Sequence, residues 1–382
     1  MVYLDYNATT PVDVQVVEAM LPFLREIYGN PSAVYRLGRL ARDAIEQARV
    51  QVAALVNAHP AQVIFTSGGT EANNLALKGW AKANPGKAIA VSAVEHASVL
   101  EAAHALATPV YSLPVDAEGR IRIRQVEELL EREAIGLISC MLANNETGVL
   151  QPVAELAKIA QAKGVCLHTD AVQAVGRIPV DFSALGVQMM SLSSHKLYGP
   201  KGVGALIVDC SLGLDPLLHG GGQERGLRAG TENVAGIVGF GKAAEMAAAL
   251  LPERTRHLCA LRERLEDGLL KLPGVVVFGQ NAERLPNTVF IGVPGIDGET
   301  LVMALDKKRI EVASGSACAS SKGQASHVLL AMGVEEALAK SAIRISLGKE
   351  NTEEDIACFL SALEEIMRDF GKLEELYGDS SD

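Results

Sequence analysis

Short apolar runs alternate with longer amphipathic stretches between about residues 60 and 210. Six of these runs have the length of strands and few polar residues: 63–65, 88–92, 136–141, 165–169, 189–192 and 204–208. Intervening stretches such as 123–132 and 152–163 have helical spacing of their apolar positions. Continuous apolar runs are typical of strands covered on both faces. The pattern therefore predicts an α/β fold with a mostly parallel central sheet.

A long helical pattern follows over about 233–272, with a break expected near Leu251 and Pro252. Beyond it, three strand-like runs precede a helix-like C-terminal stretch: 275–278, 287–291 and 343–347, then 353–370. We interpret this part as a smaller α+β domain. The expected division is a large domain over residues 15–250 and a small domain formed by residues 1–14 together with 251–382.

Composition restricts the classes of protein that the chain can belong to. Its 382 residues, 48% hydrophobic and 21% charged, are typical of a globular enzyme with a large core. A net charge of −11 argues against direct binding to nucleic acid or to an anionic membrane. No apolar run reaches the roughly 18 residues that span a bilayer, and the N-terminus lacks the pattern of a signal peptide.

The cysteine pattern bears on compartment and on metal binding. The six cysteines include no C-x-x-C pair, which argues against a disulfide framework and against a structural zinc site. We therefore expect no metal site and a reducing compartment, with the cytoplasm as the expected location.

Lys196 follows an apolar run and lies in the sequence S-S-H-K-L-Y-G-P-K-G, residues 193–202. Small polar residues precede it and a Gly-Pro turn follows, which suits an amine held in a fixed position. A lysine that forms a Schiff base is the usual anchor of pyridoxal phosphate. A plain lysine between a strand and a loop is the alternative.

Two further strand ends carry groups that fit the same cofactor. In F-T-S-G-G-T-E, residues 65–71, two glycines separate a strand from a helix, and free N–H groups there can bind phosphate. A simple capped turn has the same pattern.

Asp170 ends another apolar run, where a carboxylate is costly unless it meets a cation such as a protonated pyridine nitrogen. Capping of the next helix is the alternative for Asp170. Because one strand–helix–strand unit separates Asp170 from Lys196, we expect both at the same sheet edge.

His96 and Asn145 also follow predicted strands, in the sequences E-H-A-S-V-L and N-N-E-T-G. A histidine at that place can stack on a flat cofactor or move protons, although an ordinary core or surface histidine is the alternative. An asparagine amide there can bind a substituent of the cofactor ring. The convergence of these strand ends and Lys196 on one ligand favours a cofactor site over separate structural roles.

Cys318 and Arg344 lie outside the predicted large domain. Cys318 is in S-G-S-A-C-A-S-S-K-G, residues 314–323, a polar loop of small residues. An exposed thiol near basic groups can ionise and act as a nucleophile, so we favour a functional cysteine. Arg344 interrupts an apolar strand-like run and suits bidentate binding of a carboxylate, with an internal ion pair as the alternative.

At these residues the chain resembles the cysteine desulfurases of the class V aminotransferase group, most closely the NifS/IscS-like subgroup. The resemblance extends from Y-L-D-Y-N-A-T-T-P at residue 3 to about residue 356, and includes H-T-D-A-V-Q, G-G-G-Q-E-R-G-L-R-A-G-T and S-G-S-A-C. It implies the fold of the pyridoxal-phosphate-dependent transferases (aspartate aminotransferase-like, fold type I), with a mostly parallel sheet in the large domain.

The resemblance also implies roles for individual residues. Lys196 would hold the cofactor covalently, Asp170 would face the pyridine nitrogen, and His96 would stack on the ring and help to move protons. Gln173 and Asn145 would bind near the ring's phenolic oxygen, and Asn145 and Arg344 would bind the substrate, with Arg344 at its carboxylate. The phosphate would be held by Gly69, Thr70, Ser193 and His195, and by Thr231 of the neighbouring subunit in a homodimer.

The implied reaction removes sulfur from L-cysteine, leaving a persulfide on Cys318 and releasing L-alanine. A sulfur-acceptor protein such as an iron–sulfur scaffold would then take the sulfur for iron–sulfur cluster assembly, tRNA thiolation or DNA sulfur modification. Alternatives are another class V enzyme, such as a selenocysteine lyase or an aminotransferase, or a non-catalytic sulfur-relay protein.

Overall fold

Two main sheets and one short strand pair organise the computed structural model, which describes residues 1–315 and 324–378, with side chains up to residue 371. The strands in these residues are β1 (Val2–Tyr3), β2 (Val63–Thr66), β3 (Ala88–Ser92), β4 (Val110–Leu113), β5 (Ile135–Ser139), β6 (Cys166–Asp170), β7 (Met189–Ser193), β8 (Gly204–Val208), β9 (Val276–Val277), β10 (Thr288–Gly292), β11 (Ile310–Glu311), β12 (Ala313–Ser314) and β13 (Ala342–Ser346). The central sheet has the order β2-β8-β7-β6-β5-β3-β4, and the small sheet has the order β12-β13-β10-β9.

Helices cover both faces of the central sheet and one side of the small sheet. In the same residues they are α1 (Val14–Arg25), α2 (Arg36–Leu55), α3 (Gly69–Asn74), α4 (Trp80–Ala83), α5 (Ala97–His104), α6 (Ile123–Arg132), α7 (Val153–Ala162), α8 (Phe182–Leu185), α9 (Val234–Leu269), α10 (Gly298–Lys307), α11 (His327–Ala331), α12 (Glu336–Lys340) and α13 (Glu353–Gly378). A π-helical segment, Leu75–Gly79, joins α3 to α4. Single 3₁₀ turns occur at Pro60–Gln62, Ser194–Lys196 and Gln223–Gly226.

The central sheet is parallel except at β8, which runs antiparallel to both of its neighbours, β2 and β7. Strands β2, β3, β5, β7 and β8 are buried along their whole length, as expected for a sheet covered on both faces. This confirms the predicted α/β fold with a mostly parallel sheet. The apolar pattern does not predict the edge strand β4, because three of its four residues are only partly buried or exposed.

The small sheet is antiparallel and has its own apolar core. Buried residues of β10, β13, α9, α10 and α13 form this core, among them Leu265, Ile291, Leu301, Ile343 and Phe359. The predicted C-terminal helix is present and is longer than expected, since α13 continues to Gly378.

Helix α9 connects the two cores without interruption, so the predicted break near Pro252 is wrong. Proline removes one backbone donor, but buried residues on both sides of it hold the helix in place. Met246 packs in the core of the central sheet, and Leu258 and Leu261 pack in the core of the small sheet. By length and composition alone α9 could also cross a membrane, yet half of its most apolar window is buried inside the protein, as in a core helix. The proposed domain boundary at residue 250 lies within α9 and stays a prediction.

The N-terminal segment passes between the two sheets. Strand β1 pairs in parallel with β11, and Asp5 forms a single bridge with Ser346 of β13. Farther along, the backbone N–H and the hydroxyl of Thr10 both donate to the carbonyl oxygen of His195, beside the end of β7. This path brings residues 5–10 next to Lys196.

Candidate active site

A cavity of about 210 Å³ lies at the carboxyl ends of the central strands. Its lining includes most of the residues predicted to bind the cofactor, namely Gly69, Thr70, His96, Asn145, Asp170, Gln173, Ser193, His195 and Lys196. It also includes Asn73, Ser98, Met141, Ala143 and Val172, which the sequence does not single out. The structure thus brings together side chains that lie more than a hundred residues apart in the chain, as the strand-end pattern predicts.

The residues predicted to hold a phosphate lie where this cavity meets a second, more open one of about 430 Å³. The two cavities share Gly69, Thr70, Ser193 and His195. The hydroxyl oxygen of Ser193 is buried and has no hydrogen-bond partner within the described residues. Gly69 fits closely, because a Cβ there would lie 2.9 Å from Cγ2 of Val172. The junction of the two cavities therefore offers a polar end to a ligand that fills the smaller one.

His195 is neutral near pH 7 at this junction. Burial and the nearby cations Lys196 and Lys201 lower its pKa to about 4. Its Nδ1 lies 3.1 Å from the hydroxyl oxygen of Thr9. With that contact on one ring nitrogen, Nε2 is the nitrogen that is left to meet an anion.

Lys196 ends a single 3₁₀ turn that directly follows β7. Its ammonium group donates to the carbonyl oxygen of Asn7 and, at 2.7 Å, to that of Ala8. The N-terminal segment therefore provides two carbonyl acceptors for the Lys196 amine.

Asp170 ends β6 and is buried, with both carboxylate oxygens hydrogen-bonded. The amide of Asn73 donates to Oδ2 at 2.7 Å, and the backbone N–H of Val172 donates to Oδ1 at 2.9 Å. The Asn73 amide also donates to the hydroxyl of Ser98 at 2.8 Å. These donors fix the orientation of the carboxylate, as an Asp facing a protonated ring nitrogen requires.

Asn73 is a site residue that the sequence analysis misses. Its signal is local, because Asn73 is three residues after Thr70, just beyond the F-T-S-G-G-T-E motif, and therefore lies on the same side of α3 as Thr70.

Glu95 is a second missed residue, directly before His96 and completely buried. Burial, followed by the nearby charge of Asp170, raises its pKa well above the ordinary value. Its Oε1 accepts the backbone N–H of Met141, and Oε2 has no partner within the described residues. Burial therefore favours the neutral form of Glu95.

His96 caps the N-terminus of α5 through its own ring. The backbone N–H of Ser98 donates to Nδ1 at 3.1 Å, so in the neutral ring the proton is on Nε2. Burial lowers the pKa of His96, and the positive charge of Lys196 acts in the same direction, while the charge of Asp170 opposes it. A neutral imidazole with a fixed tautomer can accept or pass on a proton.

A polar network joins Gln173, Asn145 and Arg344 through Asn7. The Gln173 amide donates to the carbonyl oxygen of Asn7 at 3.0 Å, and the Asn7 amide donates to that of Asn145 at 3.2 Å. Arg344, on β13, donates to the carbonyl oxygen of Asn145 at 3.0 Å and forms an ion pair of 2.8 Å with Asp5. Its Nε is buried and has no hydrogen-bond partner among the described residues.

Among the residues that the structure describes, two predicted site residues, Thr231 and Arg344, line neither cavity. Thr231 is exposed and lies just before α9, outside both cavities. Cys318 lies outside the described residues, so its predicted role stays a prediction.

The residues present fit pyridoxal phosphate. Ser193 Oγ and Asn73 Oδ1 are buried polar atoms that lack hydrogen-bond partners in the described part of the chain, and both residues line the cavity. A lysine amine, a buried carboxylate and a neutral histidine line the same space. This is the donor set that a phosphate, an aldehyde carbon and a protonated pyridine ring need.

Comparison with known proteins defines the class. The model of the class-V aminotransferase family matches residues 2–359, so the chain belongs to that family. A relative from Dictyoglomus turgidum, "Cysteine desulfurase IscS", is 46% identical over 372 residues, covering 96% of this chain and 94% of the relative. Within the family, the chain therefore belongs with the cysteine desulfurases.

Solved structures support the same assignment to the cysteine desulfurases. A "NifS-like protein" has a TM-score of 0.90 and 41% identity, covering 96% of this chain and 99% of the other. A structure described as "SspA in complex with cysteine" has a TM-score of 0.80 and 34% identity, covering 91% and 99%. The predicted fold, family and pyridoxal phosphate cofactor are confirmed.

Proposed function

We propose that this protein uses pyridoxal phosphate to remove sulfur from L-cysteine, releasing L-alanine and leaving the sulfur on Cys318. The observation that carries the proposal is the meeting of Lys196, Asp170 and His96 in one cavity. Its relatives are named cysteine desulfurases, and one similar structure is described as a complex with cysteine.

The residues of the cavity divide the work of holding the cofactor. Lys196 would attach it covalently, Asp170 would favour protonation of its ring nitrogen, and Gln173 and Asn145 would hold the ring's oxygen substituent. Gly69, Thr70, Ser193 and His195 would hold its phosphate. When bound, the cofactor supplies a positively charged ring that withdraws electrons from the substrate's α-carbon.

His96 moves protons beside the ring. Its lowered pKa keeps the imidazole neutral, so it can accept a proton at pH 7 and return it. The backbone N–H and the hydroxyl of Ser98 both contact Nδ1 of His96. These contacts hold the ring so that Nε2 points away from the start of α5. The tautomer and the orientation are therefore set before the substrate enters.

Arg344 binds the carboxylate of L-cysteine together with Asn145. The guanidinium group is almost completely buried, and its Nε has no partner within residues 1–315 and 324–378. A carboxylate in this setting gains more from a charge-assisted hydrogen bond than it would in water.

Cys318 receives the sulfur. Its thiolate attacks the sulfur atom of the substrate, so an S–S bond forms while the C–S bond breaks. The electron pair of the C–S bond stays on carbon, which takes up a proton to give the methyl group of L-alanine. No external oxidant is needed.

Replacement of Cys318 tests the reaction. Cys318→Ala is expected to retain the colour of the bound cofactor and to lose persulfide formation and sulfide release from L-cysteine in the presence of a thiol. The exposed, unpaired Cys210 and Cys358 provide matched controls, since Cys210→Ala and Cys358→Ala should keep both activities. Unchanged sulfide release by Cys318→Ala would refute the proposal.

The same assays separate the alternatives. A selenocysteine lyase would act on L-selenocysteine and not on L-cysteine, and an aminotransferase would keep its activity in Cys318→Ala. A non-catalytic sulfur-relay protein would yield no pyridoxyl group on Lys196 after borohydride reduction and mass spectrometry.

We also propose a homodimer in which Thr231 reaches the phosphate of the neighbouring subunit. Thr231 is exposed. A run of exposed apolar side chains supports a covered surface on and after α1: Val14, Val17, Leu24, Tyr28, Val34 and Tyr35. Sedimentation should give a dimer, and Thr231→Ala should weaken cofactor binding. A fully active monomer would contradict this proposal.

We further propose a cytoplasmic protein that passes its sulfur to an acceptor protein such as an iron–sulfur scaffold. Every cysteine among the described residues is unpaired, which is consistent with a reducing compartment. Trapping the acceptor as a mixed disulfide with Cys318, followed by mass spectrometry, would identify it. Failure to trap any protein with the persulfide-loaded enzyme would argue against a protein acceptor.

A further inference from the structure

A carboxylate lies in the wall of the opening that leads to the phosphate junction. Glu71 lines the cavity of about 430 Å³ together with Ser67, Gly69 and Thr70. A phosphate group carries up to two negative charges, so an unpaired carboxylate nearby would repel it. The site needs a means of compensating the charge of Glu71.

Arg228 provides that charge. Its Nε donates to Oε1 of Glu71 at 3.0 Å, and the Arg228 and Glu71 side chains are only 24% and 15% exposed. Burial opposes the ionisation of Glu71, but hydrogen bonds from Ser67 and Arg228 and the charge of Arg228 outweigh it, so its pKa is lowered. The lowered pKa favours the charged form of Glu71, and the contact with Arg228 is only partly screened by solvent.

The second oxygen of Glu71 holds the turn that contains Gly69. The backbone N–H of Ser67 donates to Oε2 at 2.7 Å. One carboxylate thus connects Arg228 to the start of the turn that lines the phosphate junction. Loss of the arginine would leave a negative charge at this turn and remove one of the two contacts that fix it.

We propose that Arg228 is a positioning residue for the cofactor phosphate, which neutralises Glu71 and holds it as the support of the turn from Ser67 to Thr70. This inference rests on the proposed cofactor site. It assigns a function to an arginine that lines neither cavity.

The surroundings of Arg228 allow it to be changed without loss of its segment. The preceding 3₁₀ turn is fixed independently by a buried ion pair, in which Arg49 donates to both oxygens of Glu224 at 2.8 Å. Glu224 also accepts the backbone N–H of Phe65 at 2.8 Å. A substitution at position 228 leaves these contacts in place.

The experiment compares pyridoxal 5′-phosphate with pyridoxal, which lacks the phosphate, as probes of the apoprotein. Affinity is measured by absorbance titration for the wild type and for the variants Arg228→Gln, Arg228→Lys, Glu71→Gln and Glu71→Gln/Arg228→Gln. Arg228→Gln should bind pyridoxal phosphate about tenfold more weakly, because the charge of Glu71 is left uncompensated, and should bind pyridoxal as the wild type does.

The other variants show whether Arg228 acts through its positive charge or through the packing of its side chain. Arg228→Lys keeps the charge, and Glu71→Gln keeps an acceptor for Ser67, so both should bind pyridoxal phosphate nearly as the wild type does. The double variant should recover most of the affinity lost in Arg228→Gln. The inference is overturned if Arg228→Gln has no effect, if it weakens pyridoxal equally, or if the double variant stays as weak as the single one. If the wild type bound neither probe, the cofactor site itself would be wrong.

Discussion

His168 makes the stability of this protein sensitive to acid. It is completely buried on β6, with Nδ1 lying 2.8 Å from the hydroxyl oxygen of Ser139 and Nε2 lying 2.9 Å from that of Ser191. Burial lowers its pKa from 6.5 to about 3. Between these two values the unfolded chain binds a proton at this residue and the folded protein does not, so stability falls as the pH falls through this range.

The loss in the free energy of unfolding depends on how far the pH lies below the ordinary pKa of histidine, 6.5. At pH 5 the unfolded histidine lies about 1.5 units below its pKa, which lowers the free energy of unfolding by about 2 kcal/mol relative to neutral pH. His168→Gln keeps an amide that can bond to both serines and removes the titration. Between pH 7 and pH 5 we therefore expect the free energy of unfolding to fall by about 2 kcal/mol less in the variant than in the wild type.

Urea unfolding at pH 7, 6 and 5, followed by circular dichroism, measures this difference. His219 is exposed and provides the matched control, so His219→Gln should show the same loss as the wild type. Partly buried histidines such as His195 contribute equally to both proteins and cancel in the comparison. Equal losses of stability in the wild type and in His168→Gln would refute the reasoning.

Three further substitutions test other buried groups. Arg49→Met leaves Glu224 buried and unpaired, so urea unfolding should show a loss of about 3–5 kcal/mol, most of which Arg49→Met/Glu224→Met should recover. Asn73→Ala removes a hydrogen bond to the Asp170 carboxylate worth about 1.5–3 kcal/mol, so absorbance titration should show weaker cofactor binding by at least about tenfold; unchanged affinity would contradict this role. Burial raises the pKa of Glu95 and favours its neutral form, so Glu95→Gln, which places a neutral amide there, should leave cofactor affinity and absorbance unchanged; a clear shift in either would contradict this reasoning.

The sequence predicts those site residues that lie at or directly after the carboxyl ends of the central strands. Asp170 and Lys196 come at or just after the ends of adjacent parallel strands, so the topology alone brings them to the same edge. His96 and Asn145 follow β3 and β5 in the same sheet, and the same argument applies to them. The central sheet is predictable for a related reason, since strands covered on both faces have continuous apolar runs.

The parts that the sequence does not predict depend on contacts between distant segments. Helix α9 continues through Pro252 because two separate cores hold it on either side, which no local pattern shows. In the sequence Glu95 resembles a surface acid before a histidine, and only the fold shows the burial that raises its pKa. Arg228 lies in a glycine-rich segment, and its partner Glu71 is identified only by the fold.

The N-terminal segment shows how the two sheets act on one lysine. Asp5 pairs with Arg344 of the small sheet, while the carbonyl oxygens of Asn7 and Ala8 accept the Lys196 ammonium at the end of a central strand. These contacts lie within four consecutive residues, so a shift of the small sheet moves the acceptors of the lysine. A substrate carboxylate bound at Arg344, as proposed, would share the guanidinium group with Asp5 and so act on this segment. The substrate's carboxylate and the lysine amine would then be coupled through a continuous stretch of backbone, and by linkage each would influence the other.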